Sequence, residues 1–273
     1  MNTFSVFNEA YSRVHDLFIG LLLSLLLQTK VYAVQPDPSF FLEEEGKEKT
    51  SLVSPSSTSP TMGNESPNPP FGAERIPAIL DFWFGSLHNS SFFPQKKLFV
   101  WFVGSPEIDR QIRDNFSQDV IYAARGAYNR WRETPHGRLA LILLLDQFPR
   151  DIYRDTPRAL MLDRMARGLV LEGLHQREDR RLYPIERAFF YLPLEHSEDP
   201  VMQALAVACY QQLFAESPPM IRPQMQSFLQ SAIMHQRQIA RFGRFPHRNA
   251  ILGRKSTPEE VIFLRQQRSL IFQ

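Results

Sequence analysis

Residues Leu139 to Leu145 read LALILLL and are apolar on every side. From Ile76 onward the other apolar residues recur every three or four positions, so this run marks the central, fully buried helix of a helical domain. It leads without a break into Asp146 and Gln147, then Pro149, Arg150 and Arg154. A carboxylate at the end of an all-apolar helix is carried out of water and would be neutralised by burial unless a cation met it. An arginine is the expected partner.

The remaining pattern supplies the rest of the domain. Ile108, Ile112, Phe116 and Val120 recur every four residues behind Pro106. Thr156-Pro157 reads as an N-cap followed by proline in the first turn, with Met161, Met165 and Leu169 as the core face behind it. Val201, Leu205, Cys209 and Leu213 form another face, which makes Cys209 a core filler rather than a nucleophile. Met225, Phe228, Leu229, Ala232, Ile233 and Ile239 form a further stripe. Ser256-Thr257-Pro258-Glu259-Glu260 opens the last helix, with proline and acids where the helix dipole favours them. No stretch alternates with a two-residue period between turn signals. The prediction is an all-α fold of roughly seven to nine antiparallel helices, occupying residues 75–273, a length sufficient for a substantial core.

The first 74 residues are of a different kind. Between Gln35 and Pro70 lie 7 of the chain's 21 prolines, together with the acidic triplet Glu43-Glu44-Glu45. Such a segment cannot bury enough surface to offset its ordering entropy, so residues 35–74 are expected to be a disordered linker. Within residues 1–34, Leu17 to Leu27 (LFIGLLLSLLL) has the length of a signal-peptide apolar region and is short of the about 20 residues of a spanning helix. Val31-Tyr32-Ala33 would serve as a cleavage site, although Glu9 and Asp16 offset Arg13 in front of the apolar block. We expect a signal peptide or membrane anchor here, and export or anchoring with it. The alternative is a start codon set too far upstream, or an apolar extension that packs on the domain of a cytoplasmic protein. The single cysteine excludes a disulfide framework and any multi-cysteine metal cluster.

Charge is unevenly spread. Residues 1–75 hold 5 Lys/Arg against 9 Asp/Glu, whereas residues 76–273 hold 26 against 20, and 23 of those 26 are arginine. Arginine suits bidentate pairing with carboxylate or phosphate. Between Ser217 and Pro258 there is no acid at all, yet Arg222, Arg237, Arg241, Arg244, Arg248, Arg254 and Lys255 all fall there. The core of that stretch is His235 to Arg254, HQRQIARFGRFPHRNAILGR. Gly243 and Pro246 end its helix, so Arg244, His247, Arg248 and Asn249 lie on an irregular segment of the kind that carries binding groups. His235, seven residues after Phe228, sits at the edge of the apolar stripe, a pocket-rim position. A second cluster, YLPLEHSED (Tyr191–Asp199), places Glu195 and His196 side by side; an adjacent acid can orient an imidazole for base catalysis, or the acids and Ser197 can cap a helix.

Three readings compete for the basic stretch: an internal salt-bridge network with Asp146 and Glu195, an anion-binding or catalytic pocket, and a nucleic-acid surface in which Phe242 and Phe245 stack on bases. The last is the weakest, because the charge excess is modest and no nucleic-acid-binding motif is present. His196, His235, His247 and Glu195 could hold a metal only outside any known spacing rule, so no metal site is expected, and the motifs leave any cofactor unknown. The aromatic clusters ILDFWFG (Ile79–Gly85) and Trp101-Phe102 read as core at helix ends.

LLLDQFPRDIYRDTPRA (Leu143–Ala159), FFYLPLEHSED (Phe189–Asp199), HQRQIARFGRFPHRN (His235–Asn249) and STPEE (Ser256–Glu260) together resemble a bacterial family known as domain of unknown function 924. Trp83-Phe84-Gly85, Trp101-Phe102, and Trp131 before Thr134-Pro135 stand in the same order as in that family. The resemblance runs from about Ile76 to Leu264. It implies a tetratricopeptide-repeat-like architecture of stacked helical hairpins, and no particular activity.

From the residues, the expected function is a pocket for a small anionic ligand, with His196, His247 and Glu195 as catalytic acid/base candidates. Asp146, Arg150, Arg154, His235, Arg241, Arg244, Arg248 and Asn249 are the binding candidates. The alternative is a scaffold that holds a peptide or protein in an open groove. The only membrane contact expected is through Leu17–Leu27.

Overall fold

A computed structural model describes residues 72–271. Nine α-helices and no strand occur among the described residues. The expectations for residues 1–34, and nearly all of those for 35–74, fall outside this range. The helices are α1 Arg75–Phe84, α2 Pro106–Ala124, α3 Pro135–Ile142, α4 Phe148–Ile152, α5 Asp163–His175, α6 Pro184–Glu195, α7 Pro200–Glu216, α8 Arg222–Phe242 and α9 Pro258–Ile271. No described helix is long and apolar enough to cross a membrane.

Local chemistry sets the boundaries. Ser105 caps α2 by accepting from the Ile108 amide at 3.2 Å, with Pro106 in the first turn, and Ile112, Phe116 and Val120 are buried as their spacing predicts. Asp199 caps α7 through the Val201 amide at 2.8 Å. Gly243, at φ +70°, ends α8 in the left-handed conformation that glycine adopts without steric cost. Thr257 and Glu260 form a reciprocal capping box at the start of α9.

The Leu139–Leu145 run is buried throughout, as expected, but it is not uniform α-helix. After α3 the chain makes a π-helical turn, Leu143–Gln147, in which the Phe148 amide reaches back five residues to the Leu143 carbonyl, and then continues into α4. The wider turn brings the helix to Pro149, which has no N–H to donate and whose ring would crowd a regular helix. A second π-helical turn, Phe99–Val103, carries Trp101 and Phe102.

One apolar core joins α1 to α8. α7 packs on both α6 and α8, its sequence neighbours, α6 also packs on α8, and short connections make the three antiparallel. α6 is a second fully buried helix: every residue from Ile185 to Glu195 is buried. The aromatic motif of α1 is core, with the Trp83 ring 5.4 Å from Phe148 and 5.7 Å from Phe189. Cys209 is buried in the core, where desolvation raises its thiol above the ordinary range and leaves it a packing residue. The expected cap at Thr156 does not form. Its hydroxyl instead bonds the Tyr153 carbonyl at 2.7 Å, a short 3-10 turn follows, and α5 begins only at Asp163.

Candidate functional site

The site is built where the π turn after α3, the C-terminal end of α6, the last half of α8 and the Phe245–Arg248 segment meet. Asp146 is wholly buried on the π turn. Its Oδ1 accepts from His196 Nδ1 at 2.8 Å, and its Oδ2 from Gln147 Nε2 at 2.5 Å. Arg150, one turn on, stands 3.3 Å from Oδ1, donates to the Asp146 carbonyl, and forks onto Asp163 with two bonds of 2.9 Å. Burial alone would push the Asp146 carboxyl up. Arg150, then His196, outweigh it and hold the group well below the usual carboxylate range. The arginine partner expected for Asp146 is thus Arg150, supplied from the same helical path.

His196 is the C-cap residue of α6. Its backbone carbonyl accepts from Arg248 at 2.9 Å. Gln203 of α7 fixes this turn by donating to the carbonyls of Glu195 at 2.6 Å and Ser197 at 2.7 Å. Glu195 and His196, adjacent in sequence, do not pair with each other, because successive residues of a helix point in different directions. Glu195 turns instead to α8, where its Oε1 accepts from His235 Nδ1 at 2.5 Å and from the Ser231 hydroxyl at 2.7 Å. Its Oε2 is buried without a hydrogen-bond partner.

Two carboxylate–histidine pairs result, Asp146–His196 and Glu195–His235. An ionised carboxylate only accepts, so in each pair Nδ1 carries a proton and Nε2 is the ring nitrogen not engaged by the carboxylate. Phe245, fully buried, links the second pair to the loop. Its ring centroid lies 5.2 Å from His235 and 5.5 Å from His247, and the Arg248 guanidinium sits 4.5 Å above it. Loss of solvent around the ring, then the charges of Arg248 and His235, push His247 down to about 4, so it is neutral at pH 7. Arg248 is held by carboxylate more loosely than Arg150 is. Its side chain is 10% exposed, its nearest carboxylate is Asp163 at 3.9 Å, and burial lowers its pKa. Arg167 of α5 is similar: its guanidinium bonds the Ser197 hydroxyl at 3.1 Å, and burial lowers it too.

The structure therefore brings together Asp146, Arg150, Glu195, His196, His235, His247 and Arg248. It does not bring four other sequence candidates to them. Arg154 is half-exposed and pairs with Asp109 and Asp151. Arg241 pairs at the surface with Glu259. Arg244 forks onto Glu260 at 2.7 and 2.9 Å, and Asn249 donates to Ser256 and to Glu260. Arg244 and Asn249 thus clamp α9 to the domain instead of answering Asp146 or Glu195, since Glu260, just beyond the acid-free stretch, is closer. Among the described residues no group of three or more His, Cys, Asp or Glu side chains could hold a metal ion. Asp163, Arg167, Gln203 and Ser231 were not legible as site residues. Asp163 and Arg167 stand four apart on one helix among many charges, a spacing that also marks any solvated surface.

Residues 79–268 match the model of a family described as bacterial protein of unknown function, DUF924. The chain belongs to this family. A solved structure of a protein of unknown function from Agrobacterium tumefaciens is similar to this DUF924 chain, with 34% identity and a TM-score of 0.60 over 71% of this chain and 98% of that one. No curated protein matches it. The family motifs named above now have places: LLLDQFPRD forms the π turn with Asp146 and Arg150, YLPLEHSED the end of α6, and HQRQIARFGRFPHRN the end of α8 with Phe245 and its neighbours. All three of these DUF924 motifs feed the histidine–arginine cluster.

Proposed function

We propose that this cluster binds a small anion and transfers protons to or from it. The observation that carries the reading is the pairing of two imidazoles, His196 and His235, each fixed at Nδ1 by a buried carboxylate, with a buried guanidinium, Arg248, that has no carboxylate within hydrogen-bond distance. A buried cation without a full counter-charge is costly and is relieved by an anionic ligand. Arg248 is the binding group. His196 and His235 exchange protons at Nε2, and imidazole is the side chain suited to that near neutral pH. Asp146 and Glu195 hold the tautomers, and His247 contributes a neutral ring.

A thermal-shift screen across phosphorylated metabolites, dicarboxylates and divalent metals tests this. A specific anion at about a hundredfold its dissociation constant stabilises the fold by about 2.7 kcal/mol. Arg248→Met should abolish the shift yet keep the fold, because Asp163 retains both bonds from Arg150. A screen in which no small anion raises the melting point, or in which the shift survives in Arg248→Met, refutes the reading and favours a peptide-holding groove.

A further inference from the structure

α6 carries a third carboxylate–histidine pair at its other end. Glu186, in the first turn, is 4% exposed, and its Oε1 lies 3.2 Å from Nε2 of His136, at the start of α3. Its Oε2 accepts from the Tyr183 amide at 2.8 Å. Glu186 and Glu195 are about 14 Å apart along the helix, so this pair stands away from the histidine–arginine cluster. It opens into a cavity of about 330 Å³ between α1, the segment that follows α1, and the starts of α3 and α6. Small-molecule sites occupy about 300–1,000 Å³. Ile76, Leu80 and Phe84 of α1, with Leu87 beyond it, form an apolar wall, and Asp81, His136 and Glu186 supply the charge.

Those charges favour a cation. Asp81 is exposed, and Lys97, the cation that feels its charge, donates instead to the Phe82 carbonyl. Among the described residues of the wall only His136 can carry positive charge, and Glu186 answers it. Arg181, whose charge reaches His136, lies outside the wall. The two helix starts beside the cavity offer little to an anion. Thr134 already caps the Gly137 amide at 3.1 Å, and Glu186 itself places a carboxylate in the first turn of α6. The wall therefore keeps an uncompensated negative charge even when His136 is protonated.

We propose that this cavity is a second ligand site, for a small organic ammonium ion whose apolar body lies against Leu80, Phe84 and Leu87 and whose N–H groups donate to Asp81 and Glu186. An ionised carboxylate offers about four acceptor positions, and His136 and the Tyr183 amide occupy two of those on Glu186. Burial of Glu186 beside an apolar wall makes a charge-assisted bond to it stronger than one in open water. The proposal does not rest on the anion-site reading above.

The test is titration calorimetry on the full chain with phenethylamine, phenethyl alcohol and hydrocinnamate, which share an aromatic body and differ in the charge of the head. The amine should bind at least about tenfold more tightly than the alcohol, the discrimination of one hydrogen bond to a charged group, and the carboxylate should bind more weakly than either. Asp81→Asn should remove most of the amine's advantage and leave the alcohol's affinity unchanged. Glu186→Gln should do the same, since a glutamine also serves a capping box. Thermal melts establish which variants fold; Asp81 is exposed, so Asp81→Asn carries the test if Glu186→Gln does not fold. The proposal is overturned if no probe binds, if the alcohol or the carboxylate binds as tightly as the amine, or if the advantage survives in either folded variant. Amine binding that disappears in Arg248→Met also overturns it, because the amine then sits at the other cluster. Each of these failures leaves the anion site to its own test.

Discussion

Arg150→Met is the most informative single substitution. Arg150 is 21% exposed and bridges Asp146, at 0%, to Asp163, at 14%. At 3.3 Å and an effective dielectric of about 20, its attraction to Asp146 is worth about 5 kcal/mol before desolvation. Removing one partner of a buried pair costs about 3–5 kcal/mol. For a domain of this size that lowers the melting point by about 6–20 °C at pH 7. The pH dependence should also change sign. In the native protein the Asp146 carboxyl is depressed below its unfolded value, so its stabilisation is complete above the unfolded carboxylate range and is lost only as pH falls through the folded value. Without Arg150, burial is opposed only by His196 and Gln147, and the expected movement of the group is upward. The penalty is then present at neutral pH and is relieved as pH falls through the raised value toward the unfolded one. Calorimetric melts of both proteins from pH 7 to pH 4 measure this. Asp146→Asn in the Arg150→Met background should recover at least about 1 kcal/mol, because neighbours in one network couple. A loss under 1 kcal/mol at pH 7, or parallel pH profiles, would show that Asp146 does not depend on this cation.

Gly137→Ala should cost about 1–3 kcal/mol, because a Cβ there would stand 2.2 Å from the Trp131 carbonyl oxygen, and that backbone cannot yield. Gly168→Ala, with nothing within 4 Å, should instead stabilise by about 0.5–1 kcal/mol, and urea unfolding separates the two. His247 should titrate near 4 by NMR and move upward in Arg248→Met. Since its folded value lies below the unfolded one, its contribution is complete at pH 7 and is lost between about 6.5 and 4 as pH falls. Arg244→Ala should loosen α9 and open the segment 250–257 to limited proteolysis, leaving anion binding intact. Loss of binding instead would return Arg244 to the site.

Helices were legible because their signals are local. The stripes of α2 and α8, and the proline and acids opening α9, need nothing beyond the near sequence. Asp146 was legible as a buried acid for the same reason, since LALILLL leaves it no route to solvent. Its partner was harder: Arg150 and the basic stretch both qualified by composition, and only the three-dimensional path shows that Arg150 reaches it first. The Glu195–His196 adjacency named two site residues and misled about their pairing, because a helix sends neighbours to different partners. Nothing local distinguishes Arg248 from Arg244, four residues earlier in the same acid-free stretch. What separates them is Glu260, which comes from another helix and takes Arg244. The sequence makes Phe102 look like core, yet it is exposed, because exposure of an aromatic residue depends on what packs over it.

The π turn at Leu143–Gln147 has a consequence for how this helix tolerates change in length. A π turn is equivalent to one residue inserted into an α-helix, and each α-helical residue turns the path by about 100°. Deleting a single residue there would restore an unbroken helix and rotate everything on one side of it relative to the other. Asp146 or Arg150 would leave the azimuth that faces His196 and Asp163, although no side chain of the network had been altered. The segment is therefore frame-sensitive: conservative replacements at Leu143 or Leu144 trim packing, whereas one omitted residue dismantles the ion network.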